Sequence, residues 1–305
     1  MLIENIRLFL TIAEKGSLVA AGREAGLSPT TVSERLAALE AHYGVVLFNR
    51  TTRSISLTDE GRILQQGAKM LLAELGDLDT RIRHGAETLS GPIRISAPID
   101  LGSSVVADAI SDFTRQHPAI AIELFLSDGY VDIVGQGFDL ALRFGKITDS
   151  TLRTRSLGAY RRIVCAAQRY VDAHGVPRQP EDLAQHNCLI MRLGTVLDNI
   201  WHFGSEKSSK SIPVRGSMTT NDGALVRQWA REGHGIILKS ELDVAEDLRT
   251  GKLIALLEEY SAPPKPLQMM FPPGRAQPRR VRALADAIAA AIARKKSDIA
   301  QEPRP

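Results

Sequence analysis

Cysteine is scarce in this sequence, and long apolar runs are missing. The 305 residues include only Cys165 and Cys188, which is too few for a disulfide framework and favours a reducing cytoplasm. No stretch reaches about 18 consecutive apolar residues, so none predicts a membrane-spanning helix. Residues 1–5 contain an acid and no basic leader, unlike a secretory signal. We therefore expect a cytoplasmic protein that neither enters a membrane nor is exported.

Excess charge of either sign is also scarce, since the formal net charge is +3. Residues 275–296 contain seven bases and one acid, whereas residues 1–65 contain seven of each. The positive balance therefore comes mostly from the C-terminal tail. A case for nucleic-acid binding must rest on a local arrangement of residues rather than on bulk charge.

The N-terminal residues predict three short helices separated by glycines. Apolar residues recur at helical spacing over 2–14. Ser17 is a suitable N-cap for a second helix over 18–25, and Ser28, followed by proline, for a third that ends at Gly44. The third helix is expected to bury the stripe Val32, Leu36, Leu39 and Tyr43. Two short helices joined by a glycine turn, the second starting with small hydroxyls, indicate a helix-turn-helix that fits a groove about 12 Å wide.

A polar turn with two arginines follows this motif. Residues 46–58 form two β-prone runs around Arg50 and Arg53. By itself this run is typical of a solvated hairpin with ordinary surface arginines. Directly after a helix-turn-helix, it favours a wing that reaches the phosphate backbone.

The spacing of the N-terminal residues carries a family resemblance. The matching positions are Phe9-Leu10, Ala13-Glu14, Gly16-Ser17, Ala20-Ala21, Leu27-Ser28-Pro29, Val32-Ser33, Leu39-Glu40, Leu47-Phe48, Arg50, Arg53, Leu57-Thr58 and Gly61. Together they resemble the DNA-binding domain of LysR-type transcriptional regulators. The resemblance implies that the third helix and the wing contact double-stranded DNA at a pseudo-palindromic promoter site, with RNA polymerase as a further candidate partner.

The resemblance also assigns candidate DNA-binding residues. They are Ser28, Pro29, Thr30, Thr31, Ser33, Arg35, Arg50 and Arg53. Glu34 departs from the family pattern, in which arginine is common at that position. Because an acid beside phosphates weakens binding, we expect Glu34 to point away and Arg35 to supply the missing contact.

Residues 59–84 predict a long helix with an apolar repeat. Its stripe is Leu64, Ala68, Leu71, Leu75, Leu78 and Ile82. A period of 3.5 residues is typical of a seam between two helices, so we expect a homodimer; a core helix of the next domain is the alternative. Tetramers through the C-terminal domains are implied by the resemblance alone. Residues 85–92 are the expected hinge.

From residue 93 the pattern alternates between strands and helices, including a helix over 103–116 and a brief one over 131–135. Such alternation predicts parallel sheets with helices on both faces. We therefore expect an α/β chain with a winged helix-turn-helix head over 1–58, a linker helix and hinge over 59–90, and an effector domain over 91–305. The resemblance implies two periplasmic-binding-protein-like lobes, lobe I over 91–162 and 266–305 and lobe II over 163–265.

Polar residues follow several predicted strands, where open α/β sheets bind ligands. The candidate effector residues are Ile99, Asp100, Gly102, Ser103, Arg143, Gly194, Thr195, Thr220, Asn221 and Asp222. Ordinary helix capping is the alternative role for several of them. The carboxylate of Asp100 is expected to disfavour a simple organic acid and favour a ligand with an amine or hydroxyl.

Two other functional classes remain as alternatives. An enzyme with an appended DNA-binding head lacks support, because no nucleotide, hydrolase or metalloprotease motif occurs and the seven histidines are scattered. We expect no catalytic residue, cofactor or metal site. A redox sensor would use Cys165 and Cys188, but a cysteine in an apolar strand is more typical of an inert, buried thiol.

Overall fold

The computed structural model describes residues 1–50, 55–84, 88–145, 151–205, 208–260, 262–273 and 277–301. The chain forms two compact units, Met1–Gly91 and Pro92–Pro305. Across the described ranges, no helix is long and apolar enough to cross a membrane.

The N-terminal unit begins with three helices that end at glycines. Its elements are α1 (Leu2–Lys15), α2 (Leu18–Ala25), α3 (Pro29–Tyr43), β1 (Phe48–Arg50), β2 (Ile55–Leu57) and α4 (Asp59–His84). Gly16, Gly26 and Gly44 follow the first three helices with φ of 60°, 65° and 68°, a left-handed conformation that strains other residues. Strands β1 and β2 pair antiparallel. The predicted helix-turn-helix and wing are both present.

One apolar core joins these helices. Phe9 and Ile12 of α1 and Leu39 of α3 are fully buried in it, and each such side chain contributes about 1.5–3 kcal/mol. Tyr43 is not part of the core, contrary to the sequence expectation. It is 44% exposed and its ring stands edge-on to His42, because the core beside α3 ends one turn earlier.

The first half of α4 packs on the same core. Ala68 is only 3% exposed, and Leu64 and Leu72 pack beside it. Ala68 is therefore covered by its own chain and cannot contact a partner helix directly, which corrects the predicted dimer stripe at this end. The stripe positions farther along α4 are half-buried Leu75 and exposed Leu71, Leu78 and Ile82.

The C-terminal unit alternates strands and helices as predicted. Its strands are β3 (Gly91–Ala97), β4 (Ile120–Leu126), β5 (Leu140–Phe144), β6 (Arg153–Ala166), β7 (Ile190–Leu193), β8 (Val196–Leu197), β9 (Ile200–Ser205), β10 (Ser208–Pro213), β11 (Thr219–Thr220), β12 (Ile237–Ser240), β13 (Ile254–Leu256) and β14 (Ala262–Phe271). Its helices are α5 (Ile99–Leu101), α6 (Ala107–Gln116), α7 (Gln168–His174), α8 (Gly223–Arg231), α9 (Glu241–Arg249) and α10 (Arg279–Gln301).

Two long strands connect the lobes. Within the described residues, the largest sheet has seven strands in the order β12-β6-β14-β5-β3-β4, with β13 also paired to β6. β14 pairs antiparallel with β5 of lobe I and with β6, whose far end pairs with β12 and β13 of lobe II. A smaller sheet, β11-β7-β8, and the β9–β10 hairpin complete lobe II. The two-lobed α/β architecture is confirmed.

Local differences from the sequence expectation occur in lobe I. The helix expected from residue 103 already begins at Ile99, and a π-helical turn over Gly102–Val106 connects α5 to α6. Residues 131–135 do not form the expected brief helix. Asp132 Oδ1 accepts a hydrogen bond from the Gly135 N–H at 2.9 Å, and this side-chain contact holds a local turn instead.

Candidate functional site

The start of α3 presents small polar groups. Ser28 caps the helix, its Oγ accepting from the Thr31 N–H at 3.2 Å and lying 2.9 Å from Thr31 Oγ1. Pro29 and Thr30 are exposed, while Ser33 and Arg35 are half-buried. The hydroxyls of Ser28 and Thr31 are therefore within hydrogen-bonding distance of each other, and the exposed residues at this end of the helix are Ser28, Pro29 and Thr30.

The outward face of α3 includes the residue that was expected to point away. Residues four apart share a helix face, and Thr30 and Glu34 lie opposite the buried stripe that includes Val32 and Leu36. Glu34 is exposed, whereas Arg35 lies to the side. The core side of α3 therefore leaves Glu34 exposed, and the expected DNA contact of Arg35 stays a prediction.

The wing is joined firmly to α4. Thr58 Oγ1 donates to the Val46 carbonyl at 2.8 Å and accepts from the Gly61 N–H at 3.0 Å, so it caps α4 and anchors the returning strand. The backbone of Arg50 ends β1. The Arg50 side chain and all of Arg53 lie outside the described residues.

The C-terminal unit contains a cavity of about 140 Å³ lined from both lobes. Phe144, Tyr160 and Leu238 form much of its apolar wall. Its charged lining residues are Asp100, Asp128, Arg143, Arg162, Asp198, Lys239, Asp243 and Lys265. Of the ten effector residues predicted from the sequence, Asp100 and Arg143 line this cavity.

A carboxylate of the chain itself occupies two helix N-termini beside the cavity. Asp128 Oδ1 accepts from the Ile99 N–H at 3.0 Å, and its Oδ2 accepts from the Gly223 N–H at 2.8 Å. Ile99 begins α5 in lobe I, and Gly223 begins α8 in lobe II. These amide groups are therefore already satisfied, and Asp128 bridges the lobes.

Asp100 takes part in a buried ion cluster. Lys239 Nζ donates to Asp100 Oδ2 and lies 3.1 Å from Asp243 Oδ2, while Arg227 Nε lies 3.3 Å from Asp100 Oδ1. Burial alone would lower the pKa of Lys239, but the carboxylates of Asp243 and Asp100 outweigh it and raise this pKa, so the ammonium stays charged. Asp100 is therefore paired with two cations, which Asp243 and Asp247 share. The sequence expectation that Asp100 disfavours a simple organic acid stays a prediction.

Gly223 makes this convergence possible. A Cβ at this position would lie 2.8 Å from Lys239 Nζ, 2.9 Å from Asp128 Oδ2 and 3.3 Å from Asp100 Oδ2. The absence of a side chain therefore lets charged groups from both lobes meet at the start of α8.

Two cations in the cavity have no acidic partner among the described residues. Arg143 donates to Ser96 Oγ at 2.7 Å and to the Leu142 carbonyl at 2.6 Å, but its buried Nε has no hydrogen-bond partner. Burial lowers the pKa of Arg143 to about 10, partly offset by Asp128, so the guanidinium remains charged at neutral pH. Burial, together with Arg162, lowers the pKa of Lys265. Asp128 and Asp198 of the same lining partly offset these two effects, but neither forms an ion pair with Arg143 or Lys265 in the part of the chain that the structure describes.

The other predicted effector residues of lobe I serve local structure. Ser103 Oγ donates to the Ile99 carbonyl at 2.7 Å, within its own helix. Gly102 is a packing position, because a Cβ there would lie 2.3 Å from Leu126 Cδ2. Ile99 contributes its N–H to Asp128, as described above. None of the three lines the cavity.

The predicted effector residues of lobe II also lie outside the cavity lining. Asp222 caps α8, accepting from the N–H groups of residues 224 and 225 at 2.8 and 3.1 Å. Thr220 Oγ1 accepts from the Asp222 N–H at 3.1 Å, and Asn221 is exposed. Gly194 and Thr195 form the turn between β7 and β8. Helix capping and turn formation therefore account for all of these positions except Asn221.

Sequence reasoning missed several residues that line the cavity. Asp128 follows β4, so the strand-end rule that identified Arg143 would also have found it. Lys239 and Arg162 lie inside strands, and Lys265 lies between prolines in β14. No local pattern distinguishes these three from ordinary strand residues.

Both cysteines are fully buried. Burial raises the pKa of Cys188 to about 12 and raises that of Cys165 still further. Both thiols are therefore protonated at neutral pH and poorly reactive. Among the described residues, no group of three or more His, Cys, Asp or Glu side chains is arranged to hold a metal ion.

Two family models match the chain. Residues 3–62 match the bacterial regulatory helix-turn-helix protein model of the lysR family, and residues 86–293 match the LysR substrate binding domain. The HTH-type transcriptional regulator DmlR of Escherichia coli K12 is 32% identical over 86% of this chain and 85% of its own length. The transcriptional activator AaeR of the same strain is 30% identical over 88% and 87%.

Solved structures show the same architecture over the whole chain. CrgA, a LysR-type transcriptional regulator from Neisseria meningitidis, aligns with a TM-score of 0.61 and 29% identity over 95% of this chain and 98% of its own. Full-length LysG from Corynebacterium glutamicum with bound effector Arg aligns with a TM-score of 0.70 at 22% identity over 96% and 99%, which supports the fold alone.

Proposed function

The chain belongs to the LysR family of transcriptional regulators, and on that premise we propose which of its residues bind DNA and which bind the effector. Members of this family bind DNA through the helix-turn-helix and respond to a small molecule held by the two-lobed domain. The proteins that it resembles are regulators, so we propose that it binds its ligand without turnover. A regulator that binds promoters must be in the compartment that contains the DNA. We therefore propose that the protein is cytoplasmic.

We propose that α3 enters the major groove of a pseudo-palindromic site and that the wing contacts phosphates. The exposed Thr30 and the cap at Ser28 support this orientation, because small polar residues at the start of a helix fit the groove. The proposed DNA-contacting residues are Ser28, Pro29, Thr30, Thr31, Ser33, Arg35, Arg50 and Arg53.

Two variants test this interface. Thr30→Phe places a ring on the outward face and should abolish footprinting at the promoter by keeping α3 out of the groove. Arg50→Ala should weaken binding to all duplexes and reduce the salt slope by about one. Arg178→Ala, an exposed arginine of lobe II, is the control and should change neither. Unchanged footprints in both test variants would contradict the assignment.

We propose that the effector is a small organic anion held in the inter-lobe cavity. The observation that carries this proposal is the pair of half-buried cations, Arg143 and Lys265, that form no ion pair among the described residues. A carboxylate would supply the acceptor that Arg143 Nε lacks. A cavity near 150 Å³ holds about one benzene-sized molecule, so the ligand is expected to be compact.

Thermal shift with panels of small carboxylates and small amines tests the ligand class. A ligand that binds only the folded state raises Tm with concentration. We expect stabilisation by a carboxylate that disappears in Arg143→Met and persists in the control Arg178→Met. Stabilisation by an amine, or an undiminished carboxylate response in Arg143→Met, would rule out this role.

We also propose that the exposed stripe of α4 pairs with the same stripe of a second copy. Its residues are Leu71, Leu75, Leu78 and Ile82. A dimer places two heads on one site, and the effector alters DNA binding by its differential affinity for two arrangements, typically 1–3 kcal/mol. A redox-responsive regulator is the less favoured alternative, because both thiols are buried.

A further inference from the structure

Glu34 is an exposed carboxylate on the outward face of α3. It follows Thr30 by one turn on that face, and the small, exposed Ala37 and Ala38 follow it. Among the described residues, Glu34 has no hydrogen bond or ion pair. Its side chain is therefore neither neutralised by its own chain nor needed for the fold of the N-terminal unit.

The reading face of α3 contains no outward guanidinium over its first three turns. Arg35 is the only base in residues 29–39, and it is half-buried to the side of Glu34. The bidentate arginine contact with guanine, which is the commonest specific contact in the major groove, is therefore not available from the centre of this face.

A carboxylate at this place needs a hydrogen-bond donor, because DNA phosphates repel it. The floor of the major groove offers such a donor in the amino group of cytosine, N4, which Glu side chains accept from. Ala37 and Ala38 leave room for the helix to approach closely enough for this contact. The geometry therefore favours a base contact over a phosphate contact for Glu34.

We propose that Glu34 determines part of the operator sequence by accepting a hydrogen bond from the N4 amino group of one cytosine in each half-site. The inference rests on the proposed role of α3 as the recognition helix. Glu34 would then determine specificity as a negatively charged acceptor, whereas an arginine that binds phosphate is a positively charged donor. The base that Glu34 selects is cytosine.

Selection from a library of randomised duplexes tests the proposal. The full-length chain should select a cytosine at one fixed position of each half-site. Glu34→Gln should shift that position towards adenine, because the amide can both donate to N7 and accept from N6 of adenine. Glu34→Ala should lose the preference at that position alone and weaken binding to the selected duplex roughly 5- to 150-fold, as the loss of one matched base pair does.

Non-specific binding gives an independent readout. Removal of a negative charge should leave affinity for random duplex equal or higher in both variants, so specificity and affinity change in opposite directions. Glu14→Gln, the same change at an exposed position of α1, is the control and should retain the original motif. Equal thermal unfolding of all variants would show that the fold is intact.

The outcomes separate this inference from the proposal on which it rests. Selection of the same bases by the unaltered chain, Glu34→Gln and Glu34→Ala would overturn the role of Glu34 while α3 remains the reader. An adenine preference of the unaltered chain at the Glu34-dependent position would also contradict it. Failure of the unaltered chain to select any sequence would reject the proposed DNA interface itself.

Discussion

Buried Lys239 and half-buried Lys265, which both line the inter-lobe cavity, have opposite electrostatic surroundings. Lys239 lies among Asp100 and Asp243, and its pKa is raised despite burial. Lys265 has no ion pair among the described residues, and burial lowers its pKa. Removal of one partner from a buried ion pair leaves an uncompensated charge, whereas removal of a charge that has no partner leaves none. Lys239 therefore contributes to the stability of the fold, and Lys265 is available to bind a ligand.

Methionine substitutions should separate these two roles. Lys239→Met leaves the buried Asp243 carboxylate without its cation and Asp100 with Arg227 alone, so the free energy of unfolding should fall by about 3–5 kcal/mol. Lys265→Met keeps a similar volume while it removes a half-buried charge that has no ion pair, and stability without ligand should be unchanged or higher. Urea unfolding of both variants measures the difference. An equal loss in the two would contradict this division.

The buried cysteines give a prediction for oxidants. Because burial raises both thiol pKa values, brief treatment with hydrogen peroxide should leave operator affinity unchanged. Cys165→Ser and Cys188→Ser should behave alike in this assay. A peroxide-dependent change in affinity that is lost in either variant would support the redox alternative.

At the scale of the element, the capping serine of α3 has two separable effects. Ser28→Ala removes the acceptor of the Thr31 N–H and should lower the stability of the N-terminal unit by about 1 kcal/mol. Ser28→Asp keeps an equally good cap, so stability should be retained. It also adds a negative charge at the start of the reading helix, which should weaken binding to all duplexes.

Thermal unfolding and salt-dependent binding, measured on both variants, distinguish these effects. Ser28→Ala is expected mainly to lower Tm. Ser28→Asp is expected to keep Tm and to lower the affinity for DNA. Full-strength DNA binding by Ser28→Asp would indicate that this end of α3 does not approach phosphates.

The elements that the sequence predicted well are those with local signals. Ser28 followed by Pro29 starts α3, and glycines with positive φ end the first three helices, so these boundaries depend on near neighbours. The cavity depends on distant ones. Asp100 and Lys239 are 139 positions apart, and Asp128 and Gly223 are 95 apart. No spacing rule links such positions, which is why Arg143, at a strand end, was predicted and Lys239 was not.

At the scale of the whole molecule, the exposed stripe of α4 should control assembly. Leu78 is 48% exposed in the single chain, and Leu78→Glu would place charges in the proposed seam. We expect sedimentation to show a monomer. Affinity for a duplex with two half-sites should then fall by at least about 100-fold, because the second head no longer binds intramolecularly.

Gln66→Glu provides the matched control for this experiment. Gln66 lies on the opposite side of α4, so the same added charge should leave the dimer and its DNA affinity unchanged. A Leu78→Glu protein that remains dimeric would move the dimer interface away from this stripe.

The strands β6 and β14 extend from one lobe to the other, but their pairing is irregular between Ala262 and Lys265 and again between Pro266 and Gln268. The prolines of this part of β14 have no N–H to donate to β6. Two strands joined by fewer hydrogen bonds bend more easily there than where the ladder is complete. We therefore expect any change in the angle between the lobes to pivot at this irregular stretch, while the regularly paired ends of both strands move with their own lobes.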